Sequence, residues 1–365
     1  MIRLAAPDID DADVAAVAAV LRTGNLVQGQ CVRAFEADIT AVVGTRHAVA
    51  LCNCTAALHL ALLALNVGPG DHVAVTTYSW LSTANVVALC GATPVFVDVD
   101  ARTFNMDPAA LRRVAAEHAL KAVLVVHTFG NMADMPAILD AAGGAPVIED
   151  AACAIGAVLH GRPAGAWGVM GCFSFHPRKA VTTGEGGAVT TNDDALARSV
   201  RLLRNHGLDP DSPTPDFVAA GYNLRLTEFQ AALGSAQFAK LERLVAARRR
   251  LARRYDELFA DSEITVPVAL APEAHVYQSY VVLLPPDAKP RRDAIVADLR
   301  ASGIEVTIGT YYMPMTRWFR EHGGYHAGDF PVTEDIAGRA VSLPLHTQLG
   351  DDDQRRVARA VAAAL

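Results

Sequence analysis

The sequence predicts an α/β fold: a large domain on a mostly parallel sheet of about seven strands between helices, then a smaller α+β domain. Three observations point there. From residue 47 short apolar runs alternate with helical patterns. The runs are near-continuous in Val, Ile and Leu, as strands buried on both faces require. After Asp150 the rhythm changes, and the last third mixes strands with helices.

In chain order, "HAVALC" (47–52) reads as a strand and "TAALHLALLAL" (55–65) as a helix laid on the sheet. "HVAVTT" (72–77), a helix over 82–90 and "TPVFVDV" (93–99) follow. A helix near 108–118 leads to "KAVLVVH" (121–127), and one near 134–142 leads to "PVIED" (146–150). "MGCFSF" (170–175) and "GAVTT" (187–191) have no helix between them, so they can pair antiparallel. An arginine-bearing helical pattern spans about 236–260, and Arg248, Arg249, Arg250, Arg253 and Arg254 read as a solvated or interface-facing helix face. "HVYQSYVVLL" (275–284) reads as strand, with helices over 290–302 and 351–364. The expected division is 1–245 for the large domain and 246–365 for the small one, with segment 1–14 packing on the small domain.

Composition narrows the function. Of 365 residues 52% are hydrophobic and 19% charged, which excludes a disordered chain. The net charge of −7 argues against binding nucleic acid through phosphate contacts. No apolar run reaches the ~18 residues of a membrane span, and the acidic N-terminal stretch lacks a signal-peptide core. Six scattered cysteines include the C-x-C of Cys52 and Cys54 but no matching pair at zinc spacing, so no metal site is expected. Reduced thiols in a cytoplasmic protein fit this usage.

Ligands of open α/β sheets gather at the carboxyl ends of the strands. At one such end, just past Cys54, a helix opens near Thr55, whose N–H groups and Thr hydroxyl suit a phosphate; simple capping explains Thr55 equally well. Trp80 follows another strand and could stack on a flat ring or pack in the core. Asp150 closes a strand, where a buried carboxylate needs a cationic partner or caps the next segment. In "FSFHPRKAVTTGEGGAVTTND" (173–193), Ser174 lies in a strand and Lys179 follows it. Taken alone Lys179 is a surface charge; buried at a strand end it is a nucleophile whose pKa burial would lower. Gly184, Gly186 and Gly187 allow a tight turn and close approach to a bound group. Phosphate cup, ring stacker, strand-end acid and lysine, in that order, are what pyridoxal phosphate needs. No G-x-G-x-x-G opens a helix after a strand, so a dinucleotide site is disfavoured.

These blocks resemble, over nearly the whole chain, the sugar aminotransferases of the DegT/DnrJ/EryC1/StrS family, pyridoxal-phosphate enzymes of fold type I. The resemblance implies that "GTRHAVALCNCTAALHLALLAL" holds the cofactor phosphate and that Trp80 stacks on the ring. It places Asp150 at the ring nitrogen, Ser174 at the phosphate and Lys179 as the residue forming the internal aldimine. Cys153 stands where many members carry Gln or His beside the cofactor hydroxyl, and Asn53-Cys54 replaces a common Ser-Gly. "GYNLRLTEFQAALGSAQ" (221–237) resembles the block whose Asn, here Asn223, reaches the cofactor phosphate of the other subunit. A homodimer with shared sites is thereby implied.

Members that dehydrate replace the lysine with histidine, so Lys179 favours transamination. The implied reaction moves an amino group from L-glutamate or glutamine to a keto group of a nucleotide-linked sugar. An inosose or another cyclic ketone, a dehydratase or lyase on the same fold, and a regulatory member without turnover are the alternatives. His176, Tyr311, Tyr312, Arg317 and His346 are candidates for touching the acceptor; each could equally be packing or surface.

Overall fold

The computed structural model describes residues 1–365. Two helices precede the sheet, where the sequence expectations assign no element. In α1 (Asp11–Thr23) the Asp10 carboxylate accepts from Ala12 and Asp13 N–H, and Gly24 closes the helix at φ 73°. α2 (Gln30–Val43) buries Val32, Phe35, Ile39 and Val43 along one stripe. Its cap residue, Gly29, has no side chain. Glu228 supplies the missing acceptor from far along the chain, taking the N–H groups of Gly29, Cys31 and Val32 at 2.7–2.9 Å.

The sheet units then follow. They are β1 (His47–Leu51), α3 (Cys54–Ala64), β2 (His72–Thr76), the two-residue β3 (Tyr78–Ser79), α4 (Ser82–Leu89) and β4 (Thr93–Val97). Next come α5 (Pro108–Glu117), β5 (Leu120–Val126), α6 (Met135–Ala141) and β6 (Val147–Asp150), then a small hairpin of β7 (Val158–Leu159) and β8 (Arg162–Pro163). β9 (Met170–Ser174), β10 (Gly187–Thr191) and α7 (Asp194–Arg204) complete this part. The seven-stranded sheet has the order β1-β10-β9-β6-β5-β2-β4. β4, β2, β5, β6 and β9 run parallel. β10 is antiparallel to both neighbours, β9 and β1, because no crossover helix intervenes before it. Each strand buries both faces: Val73 and Val75 enter one core while Ala74 enters the other. That explains the unbroken apolar runs.

The expected helix over 236–260 is two helices, α8 (Glu228–Phe238) and α9 (Leu241–Phe259), broken at Ala239–Lys240. Leu244 and Val245 of α9 pack in a core of the large sheet. Leu251, Tyr255 and Phe259 pack in a second core. That second core is shared with β11 (Tyr280–Leu283), α10 (Arg292–Ala301), β14 (Ala340–Leu343) and α13 (Asp351–Ala364). Between α10 and α13 also lie β12 (Thr307–Ile308), β13 (Tyr311–Tyr312), α11 (Arg317–Gly323), whose Phe319 packs in a core of the large sheet, and α12 (Pro331–Arg339). The strands β11, β14 and β12 form an antiparallel sheet. Strand structure within 275–284 is confined to β11, since His275 and Tyr277 form a ring-stacked turn, with Tyr277 N–H donating to His275 Nδ1.

The arginine-rich face is not wholly solvated. Arg248 is 3% exposed and donates to the carbonyls of Tyr277, Gln278 and Leu345. It thus ties α9 to two loops, and its long stem favours burial over a free surface position. The N-terminus pairs Ile2 with Gly303 and Glu305 through backbone bonds at 2.8 and 2.9 Å, and Leu345 N–H donates to Leu4. A second tie is the ribbon of β3 and β13, which aligns Ser79 with Tyr311 and Tyr78 with Tyr312. No helix is long and apolar enough to cross a membrane.

Candidate active site

At the carboxyl ends of β6 and β9, beside the helix that follows β1, lies a cavity of about 680 Å³. The volume is in the range that takes a drug-sized ligand. Cys54, Thr55, Trp80, Asp150, Cys153, Ser174, His176, Lys179 and Tyr311 all line it.

The α3 end of the cavity is built from the helix cap. Asn53, not Thr55, is the cap: its side chain accepts from Ala56 N–H at 2.8 Å, and the helix starts at Cys54. Thr55 is therefore exposed with its hydroxyl unused, and the N–H groups of Cys54 and Thr55 meet no acceptor in the chain. Unpaired N–H groups at an eleven-residue helix start attract an anion. Ser174, at the end of β9, completes this side with a nearly buried hydroxyl.

Asp150 is 4% exposed and has no ion-pair partner. Thr83 Oγ1 donates to its Oδ2 at 2.8 Å and Ala152 N–H to its Oδ1 at 3.2 Å. Burial pushes the carboxyl above the ordinary aspartate range, against these bonds and the positive charge of Lys179. A buried acid with lone pairs to spare and no cation within ion-pair distance fits a protonated ring nitrogen.

Lys179 follows from a turn that closes β9: its N–H donates to the His176 carbonyl at 2.8 Å. Its Nζ donates to Cys153 Sγ at 3.0 Å. The expected lowering of this lysine does not occur. Burial pulls its pKa down, but Cys153, then Cys54 and Asp150, outweigh burial and raise it. His176 is held neutral, chiefly by burial, and its Nδ1 accepts from Arg178 N–H.

Trp80 is 60% exposed, which excludes the core-packing alternative; its ring meets that of Tyr311 edge-on at 5.4 Å. The glycines act differently from expectation. A Cβ on Gly187 would lie 2.4 Å from the Asn53 carbonyl, so Gly187 makes room for the α3 cap rather than for a ligand. Gly186 faces Thr183, and only Gly184 has positive φ, at 80°.

Four candidates lie elsewhere. Asn223 is exposed and outside this cavity. Tyr312 packs on Phe330 with its hydroxyl buried and unpartnered. Arg317 points to solvent and pairs with Glu321 at 2.9 Å. His346 is buried, outside this cavity, with neither ring nitrogen bonded. Sequence reasoning missed Thr83, Arg178, Glu185, Gln278 and the wall over Thr307–Thr310. Arg178 was legible by adjacency to Lys179. Gln278 and residues 307–310 carry no local pattern, since only the tertiary fold brings them to β9.

Residues 7–362 match the profile of the DegT/DnrJ/EryC1/StrS aminotransferase family. The GDP-perosamine synthase of Caulobacter vibrioides is 39% identical over 344 residues, covering 92% of this chain and 91% of that protein. The UDP-N-acetyl-3-dehydro-alpha-D-glucosamine 3-aminotransferase of Acidithiobacillus ferrooxidans is 38% identical, with 95% and 92% covered. Among solved structures, the pyridoxal-phosphate form of a putative sugar aminotransferase from Streptococcus pneumoniae superposes with a TM-score of 0.94. It is 26% identical and covers 100% of this chain and 99% of that one.

Proposed function

The chain belongs to the DegT/DnrJ/EryC1/StrS aminotransferase family, and on that premise we propose that it moves an amino group from L-glutamate or glutamine to a keto group of a nucleotide-linked sugar. One observation carries the reading. Lys179 and the buried Asp150, which makes no ion pair, face one cavity that also holds an exposed Trp80 and an unpaired helix N-terminus.

These residues fit pyridoxal phosphate. Lys179 would be the covalent attachment point, Asp150 would hold the ring nitrogen's proton and Trp80 would cover the ring. Cys54, Thr55 and Ser174 would hold the phosphate, and Cys153 would be the group available to the ring hydroxyl. When bound, the cofactor supplies a carbonyl for the amino group and a cationic ring that accepts electrons released at the substrate carbon. With the cofactor bound, Lys179 would be the group placed to hold and move the proton at the reacting carbon as general acid–base. Its Cys153 partner keeps Nζ pointed into the cavity, and neutral His176 stands beside it. Burial around Asp150 removes competing water from the charge it holds.

Exposed Asn223 supports a homodimer in which Asn223 of the partner subunit reaches this cavity's phosphate end. A cytoplasmic location fits six free cysteines.

The test is the visible absorption of purified protein before and after L-glutamate, beside Lys179→Ala. A yellow band that bleaches with glutamate, and does not respond in the variant, is expected. No band after incubation with pyridoxal phosphate overturns the cofactor reading. Bleaching followed by elimination without amine transfer to a keto sugar overturns transamination.

A further inference from the structure

Arg178 has no role in the reaction as derived, yet it lines the same cavity one residue before Lys179. It is the only arginine on that wall. Its guanidinium makes no hydrogen bond, ion pair or ring contact within the chain, while its backbone is fixed at both ends. The N–H donates to His176 Nδ1 at 3.2 Å and the carbonyl accepts from Gln278 Nε2 at 3.0 Å. The stem is thus anchored and the charged head is free.

We propose that Arg178 is a specificity-determining residue that grips the anionic tail of the substrate while the substrate's reacting carbon lies at Lys179. The reasoning rests on the function proposed above. With Lys179 committed to the cofactor, Arg178 is the remaining fixed cation of the wall, because burial keeps His176 neutral. Glu185 also lines the cavity but forms no ion pair with Arg178, which leaves the guanidinium unpaired. In a nucleotide-linked sugar the diphosphate hangs from the anomeric carbon, across one sugar ring from the keto carbon. One ring's width is about the reach of an arginine side chain rooted beside the attachment lysine. A planar guanidinium binds phosphate or carboxylate oxygens two at a time, which a lysine does not. The same chemistry would serve the distal carboxylate of a dicarboxylic amino donor, so anion and source are separate questions.

The experiment uses cofactor-loaded protein, wild type, Arg178→Gln and Arg178→Lys, with GDP and UDP as probes. Nucleotide binding is read by calorimetric titration at two salt concentrations, and the glutamate half-reaction by absorbance. Expected is a loss of nucleotide affinity of about tenfold to hundredfold in Arg178→Gln, with a weaker salt dependence and partial recovery in Arg178→Lys. The glutamate concentration for half-saturation should stay as in wild type. If instead only glutamate saturation shifts, by a similar factor, the grip is confirmed and its object is the donor carboxylate. Unchanged nucleotide binding together with unchanged glutamate saturation overturns the proposal. Should wild type fail to respond to glutamate at all, the aminotransferase reading fails, and the titration still decides whether Arg178 holds a phosphate. Because the side chain makes no internal bond, both variants should unfold at the wild-type temperature.

Discussion

Thr83 Oγ1 lies 2.8 Å from Asp150 Oδ2 and donates to it, while Ser79 Oγ lies 3.1 Å behind Thr83. With the Thr83 proton committed to the carboxylate, Ser79 must donate in turn, so a chain of hydroxyls runs from β3 to the floor of the site. The bond opposes burial, which pushes the Asp150 carboxyl upward. Replacing Thr83 with Val keeps the shape and removes the donor. Asp150 should then hold its own proton to higher pH and grip the ring nitrogen less firmly. We expect cofactor affinity to fall about tenfold in Thr83→Val, and Thr83→Ser to restore it. Fluorescence titration with pyridoxal phosphate across pH measures this; equal affinity in Val and wild type would remove Thr83 from the account.

Lys179 must lose its proton before it can attack an aldehyde. Its pKa lies above the ordinary lysine value because Cys153, Cys54 and Asp150 outweigh burial. The free-amine fraction therefore rises with pH through and beyond the usual lysine range. Capture of the cofactor should accelerate about tenfold per pH unit until that range is reached. In Cys153→Ala the largest opposing group is gone and burial weighs more. The curve should then move to lower pH, so that the variant loads faster than wild type at neutral pH. Stopped-flow absorbance decides; a curve at or above the wild-type position would contradict the pairing.

Glu149 is fully buried next to Asp150 and serves structure, not chemistry. Its two oxygens accept from the N–H groups of Gly165, Trp167 and Gly168 at 2.7–2.8 Å, and from His127 Nε2 at 2.9 Å. His127 Nδ1 accepts from Ala133 N–H, which assigns the ring proton to Nε2. Glu149→Gln would turn a donor toward two other donors. A cost of about 2–4 kcal/mol is expected, read as a lower unfolding temperature in calorimetry. A variant as stable as wild type would show that the loop over 165–168 finds other acceptors.

Most of the sheet was legible because its signal is local. Apolar runs such as Ala122–Val126 are buried on both faces, and their shortness and β-branched content mark them as strands. Lys179, Asp150 and Trp80 were legible through their positions at strand ends. What stayed hidden depends on distant partners. α2 begins at a glycine that cannot cap it, and its acceptor is Glu228. The break at Ala239–Lys240 has no glycine or proline to announce it. Lys240 instead turns to Asp10 and Asp13 at 2.9 and 2.6 Å, near the other end of the chain. Tyr312 and Tyr311 are neighbours in sequence, yet strand alternation sends one to the cavity and the other against Phe330.

Gly187 tests how far the cap of α3 depends on its neighbour strand. It pairs with Leu51 on one side and Ser174 on the other, so it sits between the helix start and a cavity serine. A methyl group there would meet the Asn53 carbonyl at 2.4 Å and Cys54 N at 2.6 Å, both backbone atoms that cannot rotate away. Gly187→Ala must displace either β10 or the Asn53–Cys54 peptide, and each shift misaims the unpaired N–H groups at the phosphate end. Overpacking of this kind costs about 1–3 kcal/mol. Gly184→Ala is the control. Its methyl would meet nothing within 4 Å, but its φ of 80° imposes strain, of about 1–2 kcal/mol. Both variants should thus lose comparable stability, while only Gly187→Ala loses affinity for pyridoxal phosphate and inorganic phosphate alike. An equal loss of affinity in the two would mean that general destabilisation, not the position of the α3 cap, governs phosphate binding.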